Sequence, residues 1–194
     1  MKLNKILIIS AFLVFHNYSC PAFPNDGEHY LIKGNEFYQT YLKTQNKQDL
    51  ENAHLSYYRA SQIAPSASSF LGLGIVFLEK DMLPQAKKYL YKAYSIDEDD
   101  PATNYYLGCF RFDNEEYVRA LDFLKKACEY GLSENYDVNL KMAIIYEKVG
   151  DFELAKEYYQ KAQKLNPNDE FLNFKLYNLD ELEANKIKYF NDWD

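Results

Sequence analysis

Apolar and small residues recur along this chain in a series that returns three times. Phe70, Leu73, Gly74 and Phe77 are followed by Ala86, Leu90 and Ala93. Asn104, Leu107, Gly108 and Arg111 are followed by Ala120, Leu124 and Ala127. Asn139, Met142, Ala143 and Tyr146 are followed by Ala155, Tyr159 and Ala162. Steps of three and four residues put each set on one face of an α-helix. Gly74 and Gly108 stand 34 residues apart, and Gly108 and Ala143 stand 35 apart. That period predicts helical hairpins stacked side by side, because a single hairpin cannot bury its own apolar face.

An earlier copy is legible in Tyr30, Gly34 and Phe37, then Ala53, Tyr57 and Ala60. Seven more residues separate its two halves than in the next copy. Seven residues are close to two helical turns, so the insertion keeps the same face inward and lengthens the first helix. A register that moves bulky Tyr41 into the small-residue slot is the second choice. Punctuation agrees with this division. Pro84 and Pro101 sit where helices begin, and Pro65 and Pro167 sit just past helix ends. Gly131 and Gly150 stand where a left-handed residue closes a helix. The expected repeats cover about 27–66, 67–100, 101–134 and 136–169. Residues 170–194 follow as a terminal cap and tail, with Leu172, Leu176, Leu179 and Leu182 as its apolar stripe. Asn173, Asp180 and Glu181 form the expected polar face of that cap.

These series resemble the tetratricopeptide repeat over roughly residues 30–169. The departures are small. No tryptophan opens a repeat, Arg111 stands where an aromatic is usual, and Leu132 stands where a proline is common. A Sel1-like relative, suggested by Ala127 to Gly131, is the second resemblance. The first implies an all-α fold, a right-handed helical-hairpin solenoid of about four repeats with a C-terminal capping helix. It also implies a protein or peptide partner held on the concave surface made by the first helices. The slots that map there are Leu71, Ile75 and Leu78, then Tyr105, Cys109 and Phe112, then Leu140 and Ile144, with Glu147 and Lys148 beyond. Most are apolar, so an apolar groove is the expected protein-binding site. The basic clamp that some such proteins use for C-terminal carboxylates is absent.

The start of the chain has a different pattern. Lys2 and Lys5 precede an apolar run from Ile6 to Phe15, broken by Ser10. That run is too short to span a bilayer, which takes about 20 residues. It reads as an N-terminal signal peptide over 1–22, cleaved after Ala22. Cys20 as a lipid-bearing N-terminus is the alternative, weakened by Asn17 where an aliphatic residue is expected. The expected location is therefore secreted, periplasmic or cell-envelope, and membrane contact would come only through a lipid on Cys20.

Charge and composition narrow the function. A net charge of −7 without a basic run repels phosphate backbones, so no nucleic acid is expected as partner. Aromatics reach 17%, but at helical spacing they serve the packing between helices before any ligand surface. Cys109 and Cys128 occupy helix-packing slots and predict no disulfide framework. His29 and His54 are isolated from other ligand-type residues, and the acidic run from Asp97 to Asp100 lacks calcium-loop spacing. No Gly-rich phosphate loop is present. The reading is a non-catalytic interaction scaffold with no cofactor and no metal. A structural adaptor in an envelope complex, and an enzyme with a site hidden from spacing, are the alternatives.

Overall fold

The computed structural model describes residues 26–191. The leader expected over 1–22, Cys20 included, lies outside them. The described residues are all-α: α1 (Asp26–Thr44), α2 (Lys47–Ile63), α3 (Ala67–Glu79), α4 (Leu83–Ile96), α5 (Pro101–Asp113), α6 (Tyr117–Ala127), α7 (Tyr136–Val149), α8 (Phe152–Leu165) and α9 (Glu170–Asn191). A single π-helical turn, Cys128–Leu132, extends α6 and contains Gly131 at φ 129°. The helices fall into two compact units, the first ending at Leu107 and the second beginning at Gly108.

Side-chain caps start most helices. The Asn46 side chain accepts the Gln48 N–H at 3.0 Å to open α2. Ser66 and Ser69 form a reciprocal capping box at α3. Asn135 accepts from Val138 at α7 and Asp151 from Leu154 at α8, both at 3.1 Å. Each cap satisfies a donor that the first turn leaves without an intrahelical partner, worth about 1 kcal/mol. Two buried asparagines brace the turns ahead of first helices. Asn104 donates its amide to the Glu98 and Asp100 carbonyls, and Asn139 donates to those of Ser133 and Asn135.

In the first unit, α1 pairs with α2, α3 pairs with α4, and α3 also packs on α2 and α1. Its core gathers Tyr38, Leu42, Leu50, Ala53, Tyr57, Leu73, Val76, Phe77 and Ala86. Tyr57 lies between two glycines. A Cβ built on Gly34 of α1 would come within 2.6 Å of its ring, and one on Gly72 of α3 within 2.5 Å. Two helices thus approach one aromatic face each, which only hydrogen at those positions permits. The same logic recurs at Gly74, where a Cβ would meet Leu90 at 2.7 Å.

In the second unit, α6 packs on α7, α7 pairs with α8, and α9 packs on α8. Ala120, Leu124, Val138, Met142, Ile145, Ala155, Tyr159 and Leu172 are fully or nearly fully buried. Asp169 accepts the Phe171 and Leu172 N–H groups at the start of α9 and also the Tyr136 hydroxyl of α7. That side chain fixes where the last helix begins. The face of α9 departs from expectation. Leu172 and Leu179 are buried, but the opposite side is not uniformly polar, because Phe174 and Tyr177 are about 60% exposed, at 62% and 61%. The stripe that the leucines form was legible. A second, aromatic stripe was not, because periodicity weighs spacing and both stripes have helical spacing.

Candidate protein-binding surfaces

The expected groove positions are more covered than a free apolar patch would be. In the first unit Leu71 and Tyr105 are buried, while Ile75 and Leu78 are half-buried against the core. In the second unit Leu140 is buried, and Cys109, Phe112 and Ile144 are half-buried. The Lys141 ammonium lies 5.0 Å from the centre of the Phe112 ring, and Tyr117 meets that ring edge-on. Ile75 and Leu78 come together on α3, and Leu140 and Ile144 on α7. Leu71, Tyr105 and Leu140 serve the core first. Burial depends on neighbours outside the helix, so helical spacing alone could not separate them from the half-buried positions.

Polar groups at the ends of the first helices were missed by the sequence pattern. In the first unit the Tyr38 and Tyr41 hydroxyls of α1 donate to the two Glu79 carboxylate oxygens of α3, at 3.2 and 3.4 Å. Burial, then the neighbouring Tyr106 and Glu79, push the Tyr38 hydroxyl well above its ordinary value, so it stays a donor. Burial and Glu79 push Tyr41 the same way. Lys80, the next residue after α3, turns its ammonium to Glu51 of α2 at 2.8 Å.

In the second unit Glu147 of α7 accepts the Tyr159 hydroxyl at 2.5 Å and the Lys175 ammonium of α9 at 2.7 and 3.0 Å. Burial alone would raise the Glu147 carboxyl, but the bonds from Lys175 and Tyr159 outweigh it and hold the group below its ordinary value. Glu147, expected beyond the groove, therefore fastens the last repeat to α9.

Arg111, the departure from the aromatic pattern, has its own use. Its Nη1 reaches both Glu116 oxygens at 2.7 Å, and Arg119 adds a third contact at 2.8 Å. The salt bridge spans the turn between α5 and α6, whereas the α3–α4 and α7–α8 hairpins carry stacked rings at the matching first-helix position.

Among the described residues no three His, Cys, Asp or Glu side chains stand close enough to hold a metal ion. Among the described residues, neither Cys109 nor Cys128 is part of a disulfide. Cys128 borders an open pocket of about 350 Å³ with Asn139, Tyr158 and Lys161. Burial raises its thiol above the ordinary value, against the pull of Lys161, which keeps it protonated and unreactive. No described helix is long and apolar enough to cross a membrane.

Tandem helical hairpins with small residues in the crossing slots, closed by a final helix, define an all-α helical-repeat fold. Residues 137–169 match the family model for the tetratricopeptide repeat. That match covers the last hairpin, α7 and α8. Among solved structures it is similar to that of pilF from Pseudomonas aeruginosa, with TM-score 0.69 and 22% identity over 84% of this chain and 71% of that one. It is similar to MamA, with TM-score 0.64 and 22% identity over 86% of this chain and 89% of that one. It is also similar to YrrB, with TM-score 0.64 and 19% identity over 80% and 77%. Identities this low establish the fold alone. Relatives by sequence include protein bimA of Emericella nidulans, 26% identical over 71% of this chain and 17% of that protein. The uncharacterized protein ycf37 of Guillardia theta is 30% identical over 55% of this chain and 62% of that protein. The chain spans less than a fifth of bimA and less than two thirds of ycf37.

Proposed function

We propose that this chain is a non-catalytic scaffold that holds a protein or peptide segment on the apolar face of its first helices. The observation that carries this is the recurrence of half-buried apolar side chains there: Ile75 and Leu78 on α3, Phe112 on α5, Ile144 on α7. Core positions in the same helices are closed completely, as Leu73, Leu107 and Met142 are. Partly covered apolar side chains still have area to lose when a partner arrives. The reading is supported by two structures of the same fold. YrrB is described as a tetratricopeptide-repeat protein with an unusual peptide-binding site, and the first such domain of Spaghetti (RPAP3) was solved with the HSP90 peptide SRMEEVD.

The test is a pull-down comparing the wild type with Ile75→Glu combined with Phe112→Glu. Loss of recovered partners by a folded variant is expected. Recovery of the same partners would overturn the reading.

We also propose that the chain is exported to the cell envelope, on the strength of its basic and apolar start. Mass spectrometry of the native protein is expected to find cleavage after Ala22, and a lipid on Cys20 would replace that exit with the alternative one. An intact Met1 would overturn it.

A further inference from the structure

Two hairpins set a lysine over the tyrosine of an aromatic stack, and they differ in the residue one helical turn before that lysine. In α8 the Lys161 ammonium lies 4.3 Å from the centre of the Tyr158 ring. It also bonds to the Glu157 carboxylate at 2.7 Å. In α4, 69 residues earlier, Tyr89 and Lys92 hold the same two positions, and Lys88 stands where α8 has Glu157. The Lys92 ammonium is 5.5 Å from the Tyr89 ring centre and 5.0 Å from that of Phe70. The Lys88 ammonium is 5.8 Å from the same Tyr89 ring. Two cations thus gather around one ring. Both lysines are exposed, and among the described residues no carboxylate lies within ion-pair distance of either. With Lys87 they make α4 a helix of three lysines and no Asp or Glu, in a chain of net charge −7. Like charges four residues apart weaken a helix, and an anion set between them replaces repulsion with attraction. The rings of Tyr89 and Phe70 already hold the ammoniums near the surface of the hairpin, so little side-chain freedom is left to lose when an anion arrives.

We propose that Lys88 and Lys92, seated around Tyr89, form a docking site for an acidic segment of a partner protein. A Glu or Asp carboxylate of that segment takes the place that Glu157 takes in α8. The site lies on a second helix and goes beyond the first-helix surface described above. Charge selects the occupant. Asp97, Glu98 and Asp99 are exposed directly after the end of α4. A broad phosphate surface, of lipid or nucleic acid, meets those carboxylates together with the lysines and is repelled by them. A short acidic segment lies along Lys88 and Lys92 and stops before them. Positions 88 and 92 are about 6 Å apart along the helix, and side chains two residues apart on an extended segment are separated by about 6.6 Å. The recognised pattern is therefore two carboxylates with one residue between them.

The experiment uses the full chain and the synthetic peptide acetyl-Gly-Glu-Ser-Glu-Gly-amide, with Gln in place of both Glu residues as control. NMR follows the ring signals of Tyr89 and the side-chain methylene signals of Lys88 and Lys92, and the buried Tyr57 ring reports that each variant is folded. The Glu peptide is expected to move all three sets, less so as ionic strength rises, and the Gln peptide to move none. Lys88→Glu gives α4 the carboxylate that α8 has, and should weaken binding about three- to tenfold, the range for reversing one exposed charge contact. Lys33→Gln, an exposed lysine of α1, should leave binding unchanged, and an equal loss there would mean general charge attraction and overturn the site. Equal binding of the two peptides, or Glu-peptide binding unchanged in a folded Lys88→Glu chain, would overturn the proposal. Binding to phosphatidylglycerol vesicles that Lys88→Glu abolishes, with no response to the Glu peptide, would overturn it in favour of a lipid surface.

Discussion

The α3–α4 hairpin and the α7–α8 hairpin are built on the same positions 69 residues apart, and they solve one packing problem in two ways. Both stack an aromatic of the first helix on one of the second. Phe77 on Tyr89 and Tyr146 on Tyr158 each have ring centres 5.4 Å apart, with planes inclined by 11° and 18°. Such a pair adds about 1 kcal/mol beyond the area it buries. Lysines lie over both stacks, Lys92 and Lys88 at Tyr89, Lys125 at Tyr146 and Lys161 at Tyr158. The hairpins part at the crossing slot. The earlier one has Gly74 against Leu90, and the later one has Ala143 where the partner position holds Tyr159. The later pairing brings a hydroxyl to Glu147 and so links the crossing to α9. Conserving the spacing kept the hairpin, while a change of one side chain altered what its inner end can hold.

The largest expected effect lies in the first unit, where one ring serves two glycine contacts. Tyr57→Ala should cost about 3–5 kcal/mol, the range for emptying a buried aromatic site. Chemical denaturation checks it, and a cost below about 1 kcal/mol would mean that Gly34 and Gly72 close on each other without the ring.

Exchanging the slot residues tests the comparison directly. Gly74→Ala drives a Cβ to 2.7 Å from Leu90 and should net a loss of about 1 kcal/mol, overpacking set against better helix propensity. Ala143→Gly should also lose about 1 kcal/mol, through the backbone and the small void it leaves. A gain from Gly74→Ala would show that Leu90 yields and that the slot is looser than its geometry suggests.

Acid should separate the two units. Burial first, then Lys80, holds His54 of the first unit below its ordinary value. A depressed value means that the neutral form is favoured on folding. Its contribution is whole above the ordinary histidine range and is lost as pH falls through the lower folded value, below about pH 6. Glu147 of the second unit is also depressed, and its contribution is lost only below about pH 4. Hydrogen exchange of α2 and α3 should therefore accelerate at a higher pH than that of α7 and α9. His54→Gln should remove the earlier step. Simultaneous loosening of both units would refute the assignment.

The smallest effects concern the turns inside the hairpins. Asp81 and Glu115 adopt φ 57° and 59°, while the matching turn of the last hairpin has Gly150 at φ 84°. A left-handed backbone costs a non-glycine residue about 1 kcal/mol. Asp81→Gly and Glu115→Gly should each stabilise by about 0.5 kcal/mol, and Gly150→Ala should destabilise by about 1 kcal/mol. Thermal melts of the three variants rank them, and a stabilising Gly150→Ala would break the equivalence of the turns.

The sequence by itself determined the class of fold and the residues that make it. Small residues at a fixed period, Leu90 and Leu124 opposite them, and prolines at helix starts are local signals, and helical geometry turns each into a position on a face. The Gly150 turn was equally legible, because glycine announces a left-handed backbone. The same conformation at Gln45, Asp81 and Glu115 was silent, since none of those residue types announces a left-handed backbone as glycine does. Tertiary structure alone decided which apolar slots close into core, as Leu71, Tyr105 and Leu140 do, and which stay half open, as Ile75 and Phe112 do. It also decided the partners of the carboxylates. Tyr38 and Glu79 are 41 residues apart and Glu147 and Lys175 are 28 apart. Periodicity orders residues along one helix and carries no information about which side chain of a neighbouring helix will face them.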